Sequence, residues 1–186
     1  MSHIIQLTSL FGMLTILASI VLGSDGMFNI KHTVVGQDAE VSQLITILRD
    51  SPLQEREPEK IKEAIERLGE MRATIAAEDL ARLITFRVRK MKPLNIKTEA
   101  DERYPAKGAL ILIGKPALPA LLKVIENNDK EELAHQNALS AVITIFRGDL
   151  PSGVQYLKEA AAKSQSLDAI RRILDASERI NKLARR

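Results

Sequence analysis

The chain contains no cysteine and no tryptophan. Without cysteine there can be no disulfide, no thiolate metal site and no cysteine nucleophile, and the redox compartment stays open. Aromatic residues amount to only 3%, so the core must be built from aliphatic side chains. Histidine is scarce too, at positions 3, 32 and 135. No His-x-x-x-His spacing occurs, which argues against a histidine-based metal site. No glycine-rich phosphate loop and no Gly-x-Ser-x-Gly elbow is found. Adjacent carboxylates such as Glu78-Asp79 and Glu131-Glu132 cannot share a helix face, and they read as solvated surface. The chain is therefore expected to be non-enzymatic and to carry no cofactor or metal.

Charge is missing from one segment only. Residues 1–23, "MSHIIQLTSLFGMLTILASIVLG", hold no Lys, Arg, Asp or Glu, whereas charged residues make up 27% of the whole. The apolar run over residues 10–22 has the length of a signal-peptide core and is short for a membrane span. Val21 and Gly23 are small residues placed for cleavage before Ser24, although the basic start usual in a leader is lacking. A cleaved signal peptide over residues 1–23 implies export to a periplasmic or extracellular space. An uncleaved anchor over residues 4–22 implies membrane association. The plainer alternative is a helix packed on the domain. Residues 24–37, with two glycines and no helical period, read as a linker.

From residue 38 to 186 the pattern is helical. Ala, Leu, Ile, Glu, Lys and Arg dominate, and these favour helix. Val41, Leu44, Ile45 and Leu48 share a face, with Asp38 as the expected N-cap. Ile61, Ala64, Ile65 and Leu68 follow at i, i+3, i+4, i+7, with Pro58 at the start and Gly69 near the stop. Glu63 and Arg67 are spaced to pair on the wet face. Ala76, Leu80, Leu83, Ile84 and Val88 mark the partner helix.

The next stretch, "YPAKGALILIGKPALPALLKVIE", mixes strong helix formers with breakers. Ala106, Ala109, Leu110 and Ile113 define one helix, and Gly114 ends it. Leu118, Leu121, Leu122 and Ile125 define the next, with Pro116 and Pro119 in its opening turns. There the backbone N–H groups have no intrahelical acceptor, so proline loses nothing. A third unit carries Ala134, Ala138, Ala141, Val142 and Ile145, then "RGDLPSG" as the turn, then Val154, Leu157 and Ala161. Asn137 lies beside the core stripe and is expected to bond a neighbouring turn. A final helix bears Leu167, Ile170, Ile173, Leu174 and Leu183.

These units repeat. Ala64-Ile65, Ala109-Leu110, Ala138-Leu139 and Ala169-Ile170 occupy matching sites, and "KPLNIKTEADER" lengthens the first interval. A small residue at a fixed position lets neighbouring helices approach, and the aliphatic partner fills the layer between them. The segment "AKGALILIGKPALPALLKVI", residues 106–125, resembles the short bacterial repeats of the HEAT family, whose pattern is A-x-x-A-L-x-x-L/I-G-x-x-A-x-P-x-L-L. Residues 61–84 match its first helix, and the third unit lacks the glycine. The resemblance covers roughly residues 58–162 and implies an all-α fold: a small right-handed α-solenoid of HEAT-like helix pairs with capping helices.

Enzymes that share this repeat use residues absent here. The diiron hydroxylases need repeated His-Glu dipeptides, and the DNA glycosylases line a basic cleft with Trp and Tyr. The bilin lyases share only the repeat. Such solenoids serve many roles, so the fold does not name the function. The resemblance implies a protein–protein interaction module whose partner is another protein or peptide. Its binding surface would be the concave face of the second helices, where Arg82, Lys123, Tyr156 and Lys158 are the exposed candidates. The alternative is a nucleic-acid or anionic-membrane binder using the basic run "RVRKMK", residues 87–92, and the tail cations Arg179, Lys182, Arg185 and Arg186. Net charge is only +3, and both clusters fall at helix C-termini, where cations are favoured anyway. With no Trp for base stacking, nucleic acid is the less expected partner.

Overall fold

The computed structural model describes residues 31–88, 103–127 and 131–185, with side chains from Gln37 onward. The expected leader or anchor, most of the "RVRKMK" run and the "KPLNIKTEADE" insertion lie outside the described residues. Those described form α-helices joined by short turns and two 3₁₀ segments, with no strand among them. Among the described residues no single helix is long and apolar enough to cross a membrane.

Helix α1, Lys31–Arg49, starts earlier than the sequence suggests. The last part of the expected linker, from Lys31 to residue 37, is helical, and Asp38 lies inside the helix instead of capping it. There the Asp38 carbonyl accepts from the Ser42 hydroxyl at 2.9 Å. Val41, Ile45 and Leu48 are buried as the periodicity requires. Asp50 then caps the short α2, Ser51–Arg56, by accepting from the Leu53 N–H.

In α3, Pro58–Glu70, the stripe Ile61, Ala64, Ile65 and Leu68 is 3% exposed or less. Arg67 does not pair with Glu63. It reaches Glu40 on α1 at 2.8 Å and Glu70 at 3.5 Å, tying α3 to its neighbour. Gly69 lies within the helix and does not stop it. A Cβ there would fall 2.8 Å from Ala109 Cα and 2.9 Å from Ala109 Cβ. The glycine therefore serves close helix packing. The stop comes at Arg72, which adopts φ 50. Ala73 N–H donates to the Leu68 carbonyl and Arg72 N–H to the Gly69 carbonyl, a Schellman closure with arginine in the left-handed position.

A 3₁₀ turn, Thr74–Ala76, leads into α4, Ala77–Arg82, which is shorter than the apolar pattern implied. Leu80 and Ile84 are fully buried and Val88 nearly so. The α5 helix, Pro105–Ile113, buries Ala106, Ala109, Leu110 and Ile113. Gly114 takes φ 78 at its end, a conformation that side chains rarely adopt. A 3₁₀ turn, Lys115–Ala117, holds Pro116, and α6, Leu118–Glu126, holds Pro119 in its first turn. The chain bends by 117° between α5 and the Lys115–Glu126 stretch.

The α7 helix, Glu132–Ile145, buries Ala134, Ala138, Ala141 and Val142. The "LPSG" expected as turn is instead the first turn of α8, Leu150–Lys163, capped by Asp149 accepting from the Ser152 N–H at 3.2 Å. Pro151 and Gly153 therefore belong to the helix, and Gly153 packs under the Phe146 ring. The last helix, α9, Leu167–Ala184, buries Ala169, Ile173, Ala176, Ser177 and Ile180. Of the expected stripe only Ile173 is fully buried, with Ile170 packed at the edge of the core. Leu167 is 83% exposed, and Leu174 and Leu183 also face outward. Ala169, Ala176 and Ser177 share the buried face with Ile173 and Ile180, and the large leucines lie outside it.

Helix α3 packs on α1 and α5, and α5 packs in turn on α7. The shorter α4 and α6 lie side by side on the same core. Helices α8 and α9 form the most extensive pairing, and α9 reaches back to α6. Asn137, buried on α7, donates its Nδ2 to the Ile84 carbonyl at 3.0 Å, at the end of α4. The expectation that it bonds a turn elsewhere is met.

Two substitutions near the α3 terminus should have opposite signs. Gly69→Ala forces a methyl against the α5 backbone and should cost about 1–3 kcal/mol, the range for overpacking. Arg72→Gly relieves a left-handed arginine, and should hold or raise stability by up to about 1 kcal/mol once the entropy of an unfolded glycine is offset. Urea unfolding of both variants checks the pair.

Candidate functional site

The 30 residues separating Arg49 from Asp79 close into a single ion cluster. Asp79 lies in the first turn of α4, where a carboxylate is favoured by the helix N-terminus. Its neighbour Glu78 points outward, as adjacent helical positions must. Asp79 is only 4% exposed, which corrects the expectation that the Glu78-Asp79 pair is plain solvated surface.

Two arginines hold the buried carboxylate. Arg49, at the end of α1, donates from Nε to Oδ1 at 2.9 Å and from Nη2 to Oδ2 at 3.0 Å, a bidentate fork. Arg82, one turn further along α4, also donates to Oδ1. Burial alone would raise the Asp79 pKa. The Arg49 hydrogen bonds and the two guanidinium charges outweigh it and hold the carboxyl below its usual range. The same hydrogen bonds hold Arg49 protonated more firmly than usual.

Arg49, Glu78, Asp79 and Arg82 form one wall of a groove of about 630 Å³. The facing wall is α6, with Ala120, Lys123, Val124 and Asn127. Lys123 spans the groove to pair with Glu78. The carboxyl end of α6, which sets the groove's width, is itself fixed from two sides. Arg172 of α9 donates to the Glu126 carbonyl. The His135 ring of α7 hydrogen-bonds the Asn127 carbonyl at 2.8 Å.

Of the four residues expected to bind, Arg82 and Lys123 thus meet across one groove. Tyr156 lies elsewhere, in a smaller groove of about 240 Å³ on the far side of α6 with Leu122, Glu126, Glu159, Ala160 and Lys163. Burial first, and then the Glu126 charge, raise the Tyr156 hydroxyl pKa. Its ring leans on Phe146 with centroids 6.1 Å apart, and Lys115 lies over Phe146 at 5.9 Å. Lys158 lines neither groove, because a residue two places from Tyr156 projects to the opposite side of the helix.

Sequence reasoning missed Arg49 and Asp79. The i, i+3 spacing of Asp79 and Arg82 was visible, but nothing local marks Arg49 as their third member. Among the described residues no group of three or more His, Cys, Asp or Glu is placed to hold a metal ion.

Because the folded Asp79 pKa is lowered, its stabilisation is present above the unfolded carboxylate range, near about pH 4. That stabilisation is lost as pH falls through the folded value. Asp79→Asn should therefore cost about 1–2 kcal/mol at pH 7, the low end for a buried charged hydrogen bond because both arginines face solvent. The gap from wild type should shrink in unfolding measurements at about pH 3 and below.

No family model matches the chain, and no curated protein and no solved structure matches it either. The HEAT-like resemblance stands on the residue pattern itself.

Proposed function

We propose that this chain is a non-enzymatic HEAT-like α-solenoid that binds another protein or peptide along the surface made by its second helices, α4, α6 and α8. The observation that carries this reading is the groove between α4 and α6, where a buried Asp79 holds two arginines that remain open to solvent. A side chain fixed before binding loses less entropy when a partner arrives, and a planar guanidinium loses the least per hydrogen bond. The residues of the repeat pattern support it differently. They are spent on the core, so recognition falls to the polar residues between the helices.

Export through residues 1–23, which would present the groove outside the cytoplasm, or membrane anchoring by residues 4–22, forms part of the proposal. The competing use of the basic tail is weakened by ion pairs within α9. Arg179 pairs with Asp175 at 2.9 Å and Lys182 with Glu178 at 3.1 Å. Such pairs leave less charge for phosphates or lipid.

A random peptide library displayed on phage and selected against the immobilised full chain tests the reading. Selected peptides should bind at least about tenfold more weakly to a folded variant carrying Arg82→Glu, Lys123→Glu, Tyr156→Ala and Lys158→Glu. Selection of no peptide, or unchanged binding to that variant, would overturn it.

A further inference from the structure

We infer that the groove between α4 and α6 takes an acidic segment of its partner, with an Asp or Glu carboxylate seated between Arg49, Arg82 and Lys123. This rests on the interaction reading and names the chemistry of the partner. The inference comes from how charge is divided between the buried and the exposed parts of the groove. The Asp79 side chain is 5% exposed, while Arg49 and Arg82 are 63% and 62% exposed. On the other wall Lys123 is 65% exposed and Glu78 69%. Solvent in the groove therefore meets three cations and one anion, although the lining as a whole is nearly balanced.

Asp79 engages Nε and Nη2 of Arg49 and Nη2 of Arg82. A guanidinium offers five N–H donors, so donors remain on both arginines for a second carboxylate. The floor between them is Ala81, Ala120 and Val124. Small side chains there let an extended backbone lie close to the helices while its acidic side chain turns toward the arginines. Glu78 is the one opposing group, and it occupies Lys123 when the groove is empty. Binding should thus exchange the Glu78–Lys123 pair for a partner carboxylate.

An acidic peptide fits better than a nucleic acid. A nucleic-acid strand carries a charge at every phosphate and needs a continuous basic track. Beyond α6 the next groove presents Glu126 and Glu159 against Lys163 alone. Of these two neighbouring grooves only the first has an excess of exposed cations, which suits a local acidic cluster.

Fluorescence anisotropy with the full chain tests this, using a labelled peptide of alternating Glu and Ala and its Glu→Gln counterpart. An oligothymidylate of equal charge is the third probe. The Glu peptide should bind, weaken with added salt, and lose about tenfold or more with Lys123→Glu. Glu78→Gln should tighten binding severalfold, an effect that a disrupted fold cannot produce. Lys182→Glu, on the tail, should change nothing. Equal binding of the Gln peptide would overturn the acidic specificity while leaving an interaction groove in place. Failure of both peptides would overturn the acidic-segment inference, while the interaction reading is decided by the library selection. Tighter, Lys123-dependent binding of the oligothymidylate would overturn the peptide in favour of nucleic acid.

Discussion

The approach of α3 and α5 at Gly69 and Ala109 is the constraint on which the rest of the packing depends. With few aromatic rings to span wide gaps, this chain fills its interior by bringing backbones together. Ala64, Ala109, Ala138 and Ala141 are each 3% exposed or less. Leucine and isoleucine then fill the spaces on either side, as Ile61, Ile65, Leu110 and Leu121 do. Short helices are marginal alone. Here each one gains its stability from the neighbours that a small residue lets it reach.

Polar interactions build on that frame. Asp79 can be buried because α1 and α4 are held at a spacing that delivers Arg49 to it. The carboxyl end of α6 stays in place because Arg172 and His135 occupy its terminal carbonyls. The groove between α4 and α6 is thus a product of helix spacing first and of charge second. Its arginines are positioned by a nearly buried carboxylate, which separates the residue that orients from the more exposed residues that could contact a partner.

What could be read from the sequence follows the range of the forces involved. Periodic aliphatic stripes report burial, and those of α3 and α5 are buried residue for residue. Pro58, Gly114, Pro116 and Pro119 mark helix ends through backbone sterics, which act within a few residues. Features that need distant partners were hidden. Asp79 looked like surface because its guanidinium partner lies on another helix. Gly69 lies near the stop as its position suggests, but its contact with Ala109 leaves no local trace. The stripe of α9 was misjudged for a different reason. Large leucines drew attention from Ala176, Ser177 and Ile180, which line the buried face beside Ala169 and Ile173. Arg72 in a left-handed turn has no local signal at all.

The hydrogen bond from Asn137 to the Ile84 carbonyl spans 53 residues of chain. It joins the middle of α7 to the end of α4. The buried amide reaches past α5 and α6 in the chain and ties α7 to the turn after α4. Opening at α7 then exposes a buried carbonyl near α4, so partial unfolding from that end is penalised. The α7 helix and the turn after α4 thus share one buried contact, which opening either of them would expose.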